Sequence, residues 1–141
     1  VLPGSGKSQG YVGEIKLMER INFTTAVLGK KAAAGLKEHQ VSQTIRFGTS
    51  SIVLAVNDRR VKPGEIIQVA LDDELVGYAR LLGMEKVSWE ELSQDDAWRG
   101  GFDNRFELAY ALKRSGYRFK PLNQYPFYRC KFTWWGGSEG A

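Results

Sequence analysis

Apolar residues recur along this chain with two different periods, and the switches between them predict the order of elements. From Tyr11 to Ile21 the apolar positions are unevenly spaced among charges, a pattern read as one or two short strands. Phe23 to Leu36 is rich in alanine and leucine and carries lysines, which predicts a helix with Asn22 as its N-cap and Gly29 and Gly35 as its weak points. Gln43 to Phe47 reads as a strand, whereas the apolar run Ile52 to Val56 fits a buried strand or a short helix equally well. Lys62-Pro63-Gly64 is a turn, because Pro63 presets φ and Gly64 is free to take a positive one. Glu65 to Leu71 and Leu75 to Val87 then form a hairpin about Asp72-Asp73, with Gly77 and Gly83 at bulges or bends of the longer strand.

The remaining third of the chain predicts helices and a last strand. Ser88 and Glu91 have the spacing of a capping box ahead of a short helix. Asp103 is the expected cap of the next helix, with Phe106, Leu108, Ala109, Ala111 and Leu112 on its apolar face and Gly116 at its end. Tyr125 to Trp134 is a final strand, in which alternation puts Tyr128, Cys130 and Phe132 on the core face and Phe127, Arg129 and Lys131 on the other. Trp89 and Trp98 are expected to pack the acidic helical region onto the sheet, and Trp134 and Trp135 to form an exposed pair. Strands, then helices, then a strand argue for an α+β fold, a small mixed β-barrel flanked by helices.

Composition bounds this picture to one domain, since 141 residues with 43% hydrophobic content bury one core and not two. Residues 1–10 read as a flexible leader because of Pro3, Gly4, Ser5, Gly6, Ser8 and Gly10. Residues 11–135 read as the domain and 136–141 as a flexible tail. The absence of a long apolar run and of an export-type N-terminus leads to the expectation of a soluble cytoplasmic protein. Gly4-Ser5-Gly6-Lys7-Ser8 imitates the end of a phosphate-cradling loop, but Val1 occupies the place of its first glycine and the βα repeats of a nucleotide-binding sheet are missing downstream.

The net charge of +4 matters through its placement. Lys30, Lys31, Lys37, Arg46, Arg59, Arg60 and Lys62 lie in the first half, while Glu85, Glu90, Glu91, Asp95, Asp96 and Asp103 follow. The first group offers a polyanion a basic face, or is ordinary solvated surface. Arg46 is the leading binding candidate, since a guanidinium at a strand end is a permanently charged fork for phosphate or carboxylate; its alternative is an internal ion pair. Thr44 shares its strand face. His39 is the only histidine and Cys130 the only cysteine, which removes multi-histidine metal sites, histidine-pair nucleolysis and disulfides from consideration. His39 is expected in an exposed loop and Cys130 as a buried free thiol. No metal or cofactor is implied.

The order Thr44-Ile45-Arg46, Lys62-Pro63-Gly64-Glu65, Val76-Gly77-Tyr78-Ala79, Gly100-Gly101-Phe102-Asp103 and Tyr128-Arg129-Cys130-Lys131-Phe132 resembles the ASCH family, relatives of the PUA RNA-binding barrels, over residues 17–134. The resemblance implies a PUA-like barrel with a cleft lined by the Thr44-Ile45-Arg46 motif. Some ASCH proteins are amidohydrolases on N4-acetylcytidine that use a lysine, a threonine and a glutamate in the cleft, and a ribonuclease activity is also proposed in the family. Carried over, Thr44 matches the threonine, but Val41 stands in the lysine slot and Arg80 in the glutamate slot. Lys37 or Lys31 and Glu74 or Glu85 would have to substitute. Exchange of a carboxylate for Arg80 makes the cleft more positive, which suits binding better than hydrolysis. The expectation is therefore a domain that binds RNA or a nucleotide-like small molecule in a basic cleft with Thr44, Arg46 and Arg80, steered by Lys37, Arg59, Arg60 and Lys62. The alternatives are the amidohydrolase (Thr44, Lys37, Glu74), a ribonuclease, or an adaptor that binds proteins through its aromatic C-terminus.

Overall fold

The computed structural model describes residues 11–12, 15–16 and 18–136. The leader 1–10, with its Gly4-Ser5-Gly6-Lys7-Ser8 run, and residues 137–141 of the tail lie outside the described residues. Strand β1 (Tyr11–Val12) pairs antiparallel with β2 (Ile15–Lys16) in a small ladder of their own.

The main sheet contains β3 (Arg20–Phe23), β4 (Gln43–Phe47), β5 (Ile66–Leu71), β6 (Glu74–Val87) and β7 (Phe127–Trp135), in the order β3-β5-β6-β7-β4. β3 runs parallel to β5, and the other neighbours are antiparallel. Asp72 and Asp73 both take left-handed conformations, φ 52° and 68°, which gives the tight turn whose twist matches the strands it joins. Two register shifts, opposite Gly77 and beside Gly83, bend β6 so that its first part pairs with β5 and most of its length with β7. Such bulges increase local twist, and the sheet curls into a half-barrel with β3 and β4 at its open edges. This is the expected α+β, PUA-like architecture.

Gly77 also has a packing reason. A Cβ there would stand 2.9 Å from His39 Nε2, in a ring that stacks on Trp134 at 3.9 Å. Trp134 donates its indole N–H to the Val41 carbonyl at 2.7 Å, so it is half-buried rather than part of an exposed pair.

The helices correct the sequence reading in detail. The helix expected from Phe23 starts later and is split at Gly29 (φ 85°) into α1 (Thr25–Leu28) and α2 (Lys30–Lys37). Phe23 stays in β3 because its pairing with β5 continues to Leu71, and Thr24 takes the N-cap position. The Asn22 side chain instead accepts from the Asp73 amide at 3.0 Å. The ambiguous run is helix α3 (Ser51–Asn57), with Ile52, Val53 and Ala55 buried and Leu54 exposed. The Ser88–Glu91 capping box opens only a 3-10 turn, Trp89–Glu91, and a second box, Ser93–Asp96, starts α4 (Gln94–Arg99). Asn104, not Asp103, caps α5 (Arg105–Arg114); Asp103 is ion-paired to Lys31. Phe106 and Trp98 point to solvent, against expectation.

Phe127, Phe132, Ile21, Leu36, Ile52, Ile67 and Leu81 form the fully buried centre, each contributing about 1.5–3 kcal/mol. Cys130 and Phe132 are inside as alternation predicts, but so is Phe127, because the segment after α5 covers the second face and brings Tyr117 and Tyr125 against its ring. Among the described residues no helix is long and apolar enough to cross a membrane.

Candidate ligand cavity at the open edge of the half-barrel

Between the two edge strands lies a cavity of about 380 Å³. β4 supplies Thr44 and Arg46, β3 supplies Asn22 and Phe23, and α4, α5 and the chain beyond them close it with Asp96, Phe102 and Tyr117. The volume falls in the range of small-molecule sites. Its walls are mostly apolar, so each polar group in them carries weight.

Arg46 spans the gap. Its Nε donates to Thr44 Oγ1 at 2.9 Å, its Nη2 donates to the Asn22 carbonyl at 3.2 Å, and the guanidinium lies 4.8 Å from the centre of the Phe23 ring. Among the described residues no carboxylate is within ion-pair distance, and Nη1 has no protein acceptor. Burial holds the Arg46 pKa below its ordinary value, as it must for a cation removed from water without a counter-charge. Burial likewise pushes the Tyr117 phenol up.

Asp96 is the hub of the opposite wall. It receives Arg129 through a two-pronged contact, Nε to Oδ1 at 2.9 Å and Nη2 to Oδ2 at 3.0 Å. It also accepts from Gln43 Nε2 at 2.8 Å and from the Ser93 amide at 2.8 Å. Burial pushes the Asp96 carboxyl up, but the Ser93 amide, Gln43 and Arg129 outweigh it and hold it below the ordinary carboxylate value. Since Asp96 can only accept, Gln43 is oriented with its Nε2 toward the carboxylate. Its Oε1 is left buried with no partner among the described residues. A buried orphan carbonyl is uncommon.

The residues singled out in the sequence separate here. Thr44 and Arg46 come together in the cavity wall. Arg80 donates to the Gly64 carbonyl at 2.6 Å, Arg60 pairs with Glu19 at 3.2 Å, and Glu85 pairs with Arg129 at 2.9 Å. Lys37, Arg59, Lys62 and Glu74 are exposed, and none of these seven lines the cavity. Val41, in the lysine slot, is buried in the core. Arg129, expected on the solvent face of β7, is engaged by Asp96 and Glu85 instead. Gln43, Asp96 and Tyr117 went unrecognised as cavity residues. The Ser93-to-Asp96 spacing is that of a capping box and could have marked this helix start, but nothing in the sequence marks the pairing of that cap with Gln43 and Arg129.

No protein-family model matches the sequence, and no curated protein does. Solved structures do resemble it. A protein of Enterococcus faecalis assigned to the DUF984 family aligns with a TM-score of 0.56 at 14% identity, over 86% of this chain and 82% of the other. An ASCH domain from Lactobacillus crispatus aligns with a TM-score of 0.55 at 9% identity, over 80% of this chain and 79% of the other. At such identities the likeness concerns the fold.

Proposed function

We propose that this chain, whose fold is that of an ASCH domain, binds a nucleotide-sized ligand, free or as one unit of an RNA strand, in the cavity between β3 and β4. The observation that carries this reading is Arg46, a half-buried guanidinium that among the described residues has no acceptor on Nη1 and no carboxylate within ion-pair distance. A cation desolvated in this way lacks its compensating charge until an anionic or strongly accepting ligand arrives. Phe23, Phe102 and Tyr117 offer apolar and aromatic surface for a base.

The amidohydrolase alternative finds less support. Among the described residues no lysine or glutamate lines the cavity, and the one carboxylate that does, Asp96, is tied up by Arg129, Gln43 and Ser93. Thr44 Oγ1 accepts from a cation and contacts no base that would take its proton, which disfavours it as a nucleophile.

Calorimetric titration with cytidine, uridine, N4-acetylcytidine and their 5′-monophosphates tests the reading. We expect a monophosphate to bind and Arg46→Met to weaken it by roughly tenfold or more, the worth of a charge-assisted hydrogen bond. Deacetylation of N4-acetylcytidine that disappears in Thr44→Ala would replace the binding reading with the enzymatic one, and absence of binding by every nucleotide and nucleoside would refute both.

A further inference from the structure

Within the basic group of the first half, Lys31 and Arg60 are ion-paired and Arg46 is half-buried, while Lys30, Lys37, Arg59 and Lys62 remain exposed. A second group of cations is left free. Lys113 at the end of α5, with Arg118 and Lys120 in the loop beyond it, lines a shallow groove of about 480 Å³ together with Trp89 and Leu122. Among the described residues none of the three is ion-paired, and the one carboxylate in the groove wall is Glu90. Arg114 does not belong to the group, because its guanidinium is committed to the Val27 carbonyl.

Aromatic residues alternate with these charges. Phe119 is 81% exposed, with the Arg118 guanidinium 4.9 Å from its ring centre, and the Lys120 ammonium is 5.0 Å from that of Tyr125. The loop is fixed in place, since the Phe119 amide donates to the Tyr125 hydroxyl at 3.1 Å and Tyr125 packs on Phe127. The same stretch of chain reaches the cavity, which Ser115 and Tyr117 line.

We propose that this groove is a contact site for single-stranded nucleic acid, with Lys113, Arg118 and Lys120 on successive phosphates and Phe119 stacked on an unpaired base. The chemistry is specific to that partner class. Free cations in a concave surface attract phosphates, and the exposed Phe119 ring, next in sequence to two of them, suits stacking on an unpaired base. An acidic peptide would use the charges and not the ring. The proposal rests on the nucleic-acid side of the cavity reading but concerns other residues, so the two fail separately.

Fluorescence anisotropy of labelled dodecamers of uridine and of deoxythymidine, titrated at several salt concentrations, provides the test. Removal of two phosphate contacts in Arg118→Ala/Lys120→Ala should flatten the log–log salt dependence by about 1.4, at about 0.7 for each single-strand contact. Phe119→Ala should lower affinity by roughly fivefold or more. Lys86→Glu, which changes the net charge by the same amount at an exposed position of β6, should leave the slope close to wild type. Monophosphate binding in the cavity should survive all three variants. The groove proposal is overturned if the wild type binds neither dodecamer, if the groove variants keep the wild-type slope, or if polyglutamate binds equally well with Phe119→Ala unaffected.

Discussion

Asp96→Asn is the sharpest test of the packing around the cavity. The substitution keeps shape and volume, so its cost comes from charge and hydrogen-bond polarity alone. Asp96 and Arg129 side chains are 8% and 15% exposed, and the carboxylate accepts from Arg129, Gln43 and Ser93 on both oxygens. An asparagine amide must turn its NH₂ toward one of these donors, leaving two donors face to face, and it removes the charge that balances Arg129. Breaking a buried pair from one side costs about 3–5 kcal/mol. Glu85, 55% exposed and 2.9 Å from Arg129 Nη1, retains part of the attraction, so we expect a loss near the lower end, about 3 kcal/mol. Urea unfolding followed by tryptophan fluorescence reads this as a lower midpoint with an unchanged slope. The pH dependence has a definite sign. The folded-state pKa of Asp96 is depressed, so its contribution is fully present above the ordinary value of 3.8 and is lost as pH falls below that through the folded value. The gap between wild type and Asp96→Asn should therefore hold from pH 7 to 5 and close below about 3.8. Asp96→Asn/Arg129→Met should recover much of the loss, because it removes the stranded cation as well. A cost under about 1 kcal/mol at pH 7, or a gap that persists unchanged at pH 2, would refute the hub.

Arg46→Met should leave the ligand-free protein within about 1.5 kcal/mol of wild-type stability, because relief of an unpaired cation's desolvation offsets the two hydrogen bonds and ring contact it makes. A loss above about 3 kcal/mol in the same urea assay would mark Arg46 as a structural strut. Cys130 is fully buried and its thiol is pushed up to about 12, mainly by burial, so the native protein at pH 8 should resist a thiol reagent, with labelling tracking unfolding; modification within minutes under native conditions would contradict this. Gly101→Ala should cost roughly 2–4 kcal/mol in midpoint shifts, because φ is +96° and the new Cβ would lie 3.1 Å from Val41 and 3.2 Å from Ala32. Gly64→Ala, at φ +98° but with nothing within 4 Å, should cost only the conformational part, and equal losses at the two sites would refute the packing argument.

The elements legible in the sequence were those that local chemistry determines. Gln43–Phe47 matched a strand to the residue, Asp72-Asp73 marked the hairpin, and Gly77 and Gly83 marked the bends that curl the sheet. The errors have physical causes as well. Asn22 has the chemistry of a cap but lies in a strand because β5 pairs with it, and Ile52 to Val56 has no periodicity that separates helix from strand. Phe127 and Arg129 read as outward-facing because alternation tells the two faces of a strand apart but not whether the second is covered; Tyr117 and α4 cover it.

The site divides along the same line. Thr44 and Arg46 were visible because residues two apart on a strand share a face, a relation that holds wherever the strand lies. Their partners were not. Gln43, Asp96 and Arg129 meet across 53 and 33 positions of sequence separation, and such encounters depend on how helices dock on a curved sheet. Charge misled for the same reason. Composition counts cations, but only the tertiary structure decides which are neutralised. Among the described residues it pairs Arg60 with Glu19 and Arg129 with Asp96, and leaves Arg46, Lys113, Arg118 and Lys120 without an ion pair. The sequence by itself determined the α+β order of elements, the hairpin and the strand that carries Arg46, since each follows from neighbours along the chain. The cavity, its orphan acceptor and the free basic groove arise from contacts between distant segments, which no local pattern encodes.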